Sequence, residues 1–99
     1  MRVVISDMAD ADIESIGDYI AWDSPARAVT YTDELRDACL GIGEAPLRFA
    51  VLEPFERLAY RRRPYGQYSI IYQVGPDVVT IVRVLSTAMD VTAALDGSD

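Results

Sequence analysis

Residues 58 to 85 hold three runs rich in β-branched and aromatic side chains, about 58–63, 67–74 and 78–85, with turn signals at "PYG" and "GPD" between them. So short a connection can only join strands that run in opposite directions, because a parallel pair needs a crossover of a dozen or more residues. This part of the chain is therefore expected to be an antiparallel meander, against which every other element must fit. Alternation along the middle run puts Tyr68, Ile70, Tyr72 and Val74 on one face. In the last run Val78, Thr80, Val82 and Val84 alternate with Val79, Ile81, Arg83 and Leu85, so Arg83 is expected to leave the core on the far face.

The segment before the meander reads as a strand and two helices. "RVVIS", residues 2–6, is a β-branched run suited to an edge or near-edge strand. Asp7 can cap a helix in which Ala9, Ile13, Ile16 and Ile20 form an apolar stripe, leaving Asp10, Asp12, Glu14 and Asp18 on the wet side. "DSP" at 23–25 ends that helix and starts a second, with Ser24 as N-cap and Pro25 at the first helical position. The second helix should bury Ala28, Tyr31, Leu35, Ala38 or Cys39, and Ile42, and stop at Gly43, where a positive φ is easiest. Residues 44–56 contain Pro46 and Pro54 and read as a loop, and "STAMDVTAALDG" reads as one or two helical turns. The fold class is α+β: an N-terminal strand and a two-helix hairpin packed on one face of a small antiparallel sheet. Residues 1–99, with no internal repeat, form one domain.

Composition removes whole classes of chemistry. With no histidine and one cysteine, neither a Cys/His metal site, nor a Cys–His catalytic pair, nor an internal disulfide can be assembled. Asp10, Asp12, Glu14 and Asp18 are spread around a helix, which suits a solvated face better than metal ligation. No cofactor is expected. Apolar runs are too short to span a membrane and the start lacks a secretory apolar region, so the chain is expected in the cytoplasm. Cys39 reads as a small buried hydrophobe, and Tyr19 and Trp22 as residues that close the core.

Charge is unevenly distributed in a chain of net charge -7. Residues 7–37 carry nine acids and two arginines, whereas residues 57–83 carry Arg57, Arg61, Arg62, Arg63 and Arg83 against Asp77. Acidic helices and a basic sheet result. The arginines read either as a docking place for a carboxylate-bearing partner or as charges that blunt a sheet edge.

"YIA", "SP" before the second helix, Tyr60-Arg61-Arg62, "YSIIYQV" with Tyr72, and a closing "RVL" with Met89-Asp90 together resemble the ParE branch of the ParE/RelE toxin family. The likeness covers most of the chain and implies the fold derived above. It also implies a type II toxin neutralised by a ParD-like antitoxin in a hetero-oligomer, with DNA gyrase as target and no enzymatic activity. Ser86 and Ala88 stand where relatives commonly carry histidine and arginine, which bears on toxicity rather than on fold. Two alternatives stay open: a RelE-like ribosome-dependent mRNA endonuclease, and a relative of lost potency that only binds its antitoxin. The nuclease needs a proton acceptor and donor beside one phosphate; this chain has no lysine or histidine, and arginine is a poor base. Direct nucleic-acid binding is not expected. The expected partner-binding residues are Arg57, Arg61, Arg62, Arg63 and Arg83, with Met89 and Asp90 from the resemblance. If Leu58 and Tyr60 face the helices, Arg61 and Arg63 share the far face with Arg83, Arg61 and Arg83 form one cationic site, and Arg62 lies at the rim.

Overall fold

The computed structural model describes residues 1–53, 58–88 and 94–95. Strand β1 (Arg2–Ile5) leads into helix α1 (Asp7–Ala21), helix α2 (Pro25–Gly41) and a 3₁₀ turn (Ile42–Glu44), and then into strands β2 (Tyr60–Tyr65), β3 (Tyr68–Val74) and β4 (Val78–Ser86). The sheet order is β1-β4-β3-β2. The last three strands form the expected antiparallel meander, but β1 lies parallel to β4, with Arg2 opposite Val78 and Ile5 opposite Ile81. The sheet is therefore mixed rather than purely antiparallel. The helical hairpin supplies the crossover that a parallel pair requires.

Tyr65 and Tyr68 pair across a two-residue turn at Gly66–Gln67, in which Gly66 takes a φ of +57°, a conformation open to glycine. Pro64 lies inside β2, where an edge strand tolerates the missing N–H. β3 and β4 carry a β-bulge: Ile71 faces Arg83 while Tyr72 faces Ile81, so Val82 is supernumerary. The bulge reverses the alternation of β4, and Val79, Ile81 and Val84 all enter the core. The expected grouping of Val84 with Val78, Thr80 and Val82 fails for that reason.

Ala9, Ile13 and Ile16 of α1 and Leu35 and Cys39 of α2 pack on Ile70, Tyr72, Val79, Ile81 and Val84. Both apolar stripes are as the helical spacing predicts. The caps differ in one case. Ser6, not Asp7, caps α1 by accepting from the Ala9 N–H at 3.0 Å, while its hydroxyl donates to the Val82 carbonyl at 3.0 Å. Ser24 caps α2 with Pro25 in the first turn, as expected. Gly43 does not end α2 through a positive φ; it lies in the 3₁₀ turn, where the Met1 ammonium donates to its carbonyl at 2.9 Å. A Cβ there would overlap the Met1 carbonyl oxygen and crowd Val3. Close approach, not handedness, demands the glycine.

Two glycines near the end of α2 should thus respond oppositely to alanine. Gly43→Ala is expected to cost about 1–3 kcal/mol by overpacking. Gly41→Ala, whose Cβ meets nothing within 4 Å, is expected to be neutral or to stabilise by up to about 1 kcal/mol. Urea-unfolding midpoints check both, and equal shifts would refute the close-approach account.

Candidate functional site

β2 is built into the sheet by its register with β3, and that register decides where its arginines lie. Arg61 pairs with Tyr72 and Arg63 with Ile70, both core residues, so these two arginines share the helix-side face. Arg62 pairs with Ile71 on the far face and donates to the Ser69 hydroxyl at 2.7 Å. The parity expected for β2 is therefore inverted. β2 starts after Ala59, which holds a φ of +55°, and the chain arrives from an irregular segment, so the apolar pattern of residues 58–60 carries no phase into the strand.

Each arginine has its own task. Arg61 Nη1 donates to the Phe49 carbonyl at 2.5 Å and the Leu47 carbonyl at 3.4 Å. The Tyr72 hydroxyl donates to the Pro46 carbonyl at 2.7 Å, so the same loop is tied from the core as well. Burial raises the Tyr72 pKa, which keeps that hydroxyl a donor. The loop then runs along β2: the Arg62 N–H reaches the Ala50 carbonyl at 3.2 Å and the Leu52 N–H the Tyr60 carbonyl at 2.7 Å. It covers the outer edge of β2 at Tyr60–Arg62.

Arg83 does not join Arg61. Its guanidinium turns to α1 and grips Asp12 with two bonds of 2.8 and 3.0 Å, while the same carboxylate accepts the Val84 N–H at 2.9 Å. The hydrogen bond to Asp12 raises the Arg83 pKa further. Asp12 is mostly buried and belongs to the core border, not to the wet face of α1. The expected Arg61–Arg83 site is thus absent: one arginine braces a loop, the other a helix. Arg57, Met89 and Asp90, and most of the expected C-terminal helical turns, lie outside the described residues.

Arg63 is different. Its guanidinium carbon lies 5.3 Å from the centroids of both Phe49 and Tyr65, and Arg48 lies 5.4 Å from Phe49. Tyr65 in turn meets Tyr31 of α2, whose ring sits 5.1 Å from Arg27. Phe49 and Tyr65 line an open groove of about 510 Å³ between the C-terminal half of α2, the loop and β2. Glu34, Asp37 and Glu44 stand on its walls. Among the described residues neither Arg48 nor Arg63 pairs with a carboxylate. A guanidinium on a ring keeps its charge and most of its N–H donors, so the groove can receive an anionic side chain. Arg48 and Phe49 were not singled out from sequence, because adjacent cation and aromatic residues in a loop acquire meaning only once the loop's path is known.

Tyr19 and Trp22 do not close the core; they are 74% and 88% exposed. Cys39 is fully buried and burial pushes its thiol pKa up to about 11. No helix among the described residues is long and apolar enough to cross a membrane.

The family model of the "ParE toxin of type II toxin-antitoxin system, parDE" matches residues 3–91. The chain belongs to the ParE toxin family. A solved structure described as "Chromosomal ParDE TA system from P. aeruginosa" is similar, with a TM-score of 0.73 and 18% identity over 87% of this chain and 95% of that one. At that identity the likeness carries the fold. No curated protein matches the chain.

Arg83→Ala should strand the Asp12 carboxylate and cost about 2–4 kcal/mol, whereas Arg83→Ala combined with Asp12→Ala should cost less than the sum of the single changes. Urea unfolding of the four proteins measures the coupling, and strict additivity would show that the pair is incidental. Cys39 yields a second expectation. The folded thiol stays protonated to about pH 11 and the unfolded one to about its ordinary 9.0. Its contribution is therefore intact below pH 9 and lost as pH rises from there toward 11. At pH 8, labelling of Cys39 by a thiol reagent should proceed only as fast as the protein opens, and rapid labelling of native protein would contradict its burial.

Proposed function

We propose that the chain is the toxin of a ParDE-type pair that acts in the cytoplasm by binding, with DNA gyrase as its target, and that a ParD-like antitoxin holds it inactive in a hetero-oligomer. The observation that carries this reading is the family match across residues 3–91. The geometry supports a particular docking mode. The groove between α2 and β2 offers Arg48 and Arg63 on aromatic rings, a suitable seat for a helix bearing carboxylates. Beside it, the Met1–Gly43 contact brings the start of β1 to the 3₁₀ turn, and β1 pairs only with β4 among the described residues. Its outer side is a strand edge to which an extended segment can add. A helix in the groove followed by a strand on β1 would engage both.

In this reading Arg63, joined by Arg48, receives the partner, while Arg61, Arg62 and Arg83 hold the toxin's own loop, sheet and helix. Arg57, Met89 and Asp90 remain candidates through the resemblance alone. The mRNA endonuclease is disfavoured, because three of the arginines it would need as phosphate ligands are directed at Phe49, Ser69 and Asp12. One observation favours the reading of lost potency: Ser86 and Ala88 bond to each other, the Ala88 N–H donating to the Ser86 hydroxyl at 3.2 Å, where relatives display histidine and arginine.

Induction of the chain alone should slow growth with filamentation and a DNA-damage response, and co-expression of the neighbouring antitoxin gene should restore growth. Arg63→Ala or Arg48→Ala should weaken antitoxin binding about tenfold, and Arg62→Ala far less. Normal growth at verified soluble expression with intact antitoxin binding would leave the binding-only relative. Codon-specific cuts in messenger RNA would establish the nuclease instead.

A further inference from the structure

The helical hairpin carries a second groove, lined by residues other than those of the Arg48–Arg63 groove. Asp10, Glu14, Asp18 and Trp22 recur at four-residue spacing along α1 and into its αR C-cap, so they form one stripe. Across from it Pro25, Val29, Thr32 and Arg36 line α2. The helices touch closely at Gly17, where a Cβ would lie 2.9 Å from Thr32 Cγ2. This approach leaves a shallow trough of about 340 Å³, floored by small residues such as Gly17, Ala21 and Ala28. The Arg36–Asp10 ion pair crosses its inner end. Trp22, 88% exposed, directly follows Ala21 of the lining and continues the Glu14–Asp18 stripe, and Val29, 62% exposed, lines the α2 side.

Two features identify an occupant. First, a tryptophan left in water beside an exposed valine and a small-residue trough is the composition of an interface centre, since Trp anchors carry a disproportionate share of binding energy. Second, the rim is acidic and its charge is uncompensated. Both arginines of the hairpin are already committed, Arg27 to Glu34 and Arg36 to Asp10. Glu14 and Asp18 of the lining, and Asp23 and Asp33 elsewhere on the hairpin, have no ion pair among the described residues. Such a rim repels phosphate-bearing surfaces and acidic peptides alike, and attracts lysine or arginine, which can also stack on the Trp22 face. A trough between two antiparallel helices receives the side-chain ridge of a third helix.

We propose that this face docks a basic amphipathic helix of a partner protein, its apolar stripe in the trough against Trp22 and Val29 and its cations on Glu14 and Asp18. The surface uses a side of α2 different from that lining the arginine groove, so occupation of one leaves the other accessible. The site is thus independent of the antitoxin reading.

Trp22 is the chain's only tryptophan and so reports its own site. The purified full chain is titrated with a synthetic helical peptide of leucine and lysine, and with a counterpart carrying glutamate for lysine. Saturable binding of the lysine peptide is expected, with a blue shift of Trp22 emission that salt reverses, and no response to the glutamate peptide. Glu14→Arg with Asp18→Arg should weaken binding about tenfold or more, while the charge-matched pair Glu53→Arg with Asp77→Arg should change it little. Trp22→Ala, read by calorimetry, should weaken it comparably; as a surface change it leaves folding intact, which circular dichroism verifies. Equal weakening by the two charge-reversed pairs would reduce the effect to net charge and overturn the proposal. So would binding of both peptides, binding of neither, or a Trp22 blue shift on concentrating the chain alone, which would assign the trough to a second copy.

Discussion

One carboxylate joins the two layers of this fold at the place where its sheet is interrupted. β1 ends at Ile5, opposite Ile81, whereas β4 runs on to Ser86 and is bulged just beyond that last pair. The edge groups of β4 are nevertheless satisfied by the chain that leaves β1. The Ser6 N–H donates to the Ile81 carbonyl, the Ser6 hydroxyl to the Val82 carbonyl, and Asp12, one and a half turns into α1, takes the Val84 N–H together with the Arg83 guanidinium. A helix thus takes over from a strand along one sheet edge. Without Asp12 the Val84 N–H and a mostly buried arginine would both lack an acceptor, a penalty of several kcal/mol in a domain whose whole stability is of that order. Beside the core packing of Ala9, Ile13 and Ile16, this contact ties α1 to β4 through polar groups.

The parts of the structure legible in the sequence were those set by period and by turn length. The apolar stripes of α1 and α2, the Ser24–Pro25 start and the meander all rest on regularities that tertiary context did not disturb. The failures share a cause: each concerns a residue whose side chain is long enough, or whose backbone is irregular enough, to be directed by something distant in sequence. Arg61 and Arg63 belong to the helix-side face because β3 dictates the register, and their aliphatic stems tolerate either face. Polarity alone places Asp12 on the wet side of α1. It lies three residues after Ala9 and four before Ile16, and that spacing was the available signal that it borders the core. Gly43 reflects the unforeseeable approach of Met1, and the parallel pairing of β1 with β4 depends on where two helices return the chain.

The concentration of positive charge in an acidic chain has a structural explanation before it has a functional one. A guanidinium can hold two carbonyls of a loop, as Arg61 does, or both oxygens of a carboxylate, as Arg83 does, and an ammonium reproduces neither geometry. In so small a domain, with an irregular connection between α2 and β2, such struts replace the packing that a larger core would supply.

What remains for recognition is then a matter of how each arginine is held. Arg83 is neutralised by Asp12, and a partner's carboxylate approaching it would have to displace an internal one already bound twice. Arg63 and Arg48 rest on Phe49 and Tyr65, contacts that fix position without cancelling charge, while the acids of the groove walls stay unpaired with them. In the proposed docking an incoming carboxylate would meet a cation that is pre-positioned, so that little side-chain entropy would be lost on binding, and the nearby Glu34, Asp37 and Glu44 would penalise an occupant whose negative charge is misplaced by one turn. The arginines therefore divide into struts, bonded to a carbonyl, a hydroxyl or an acid, and the pair Arg48 and Arg63 held charged on rings; in the proposed docking, selectivity would arise as much from the acids on the groove walls as from these two arginines.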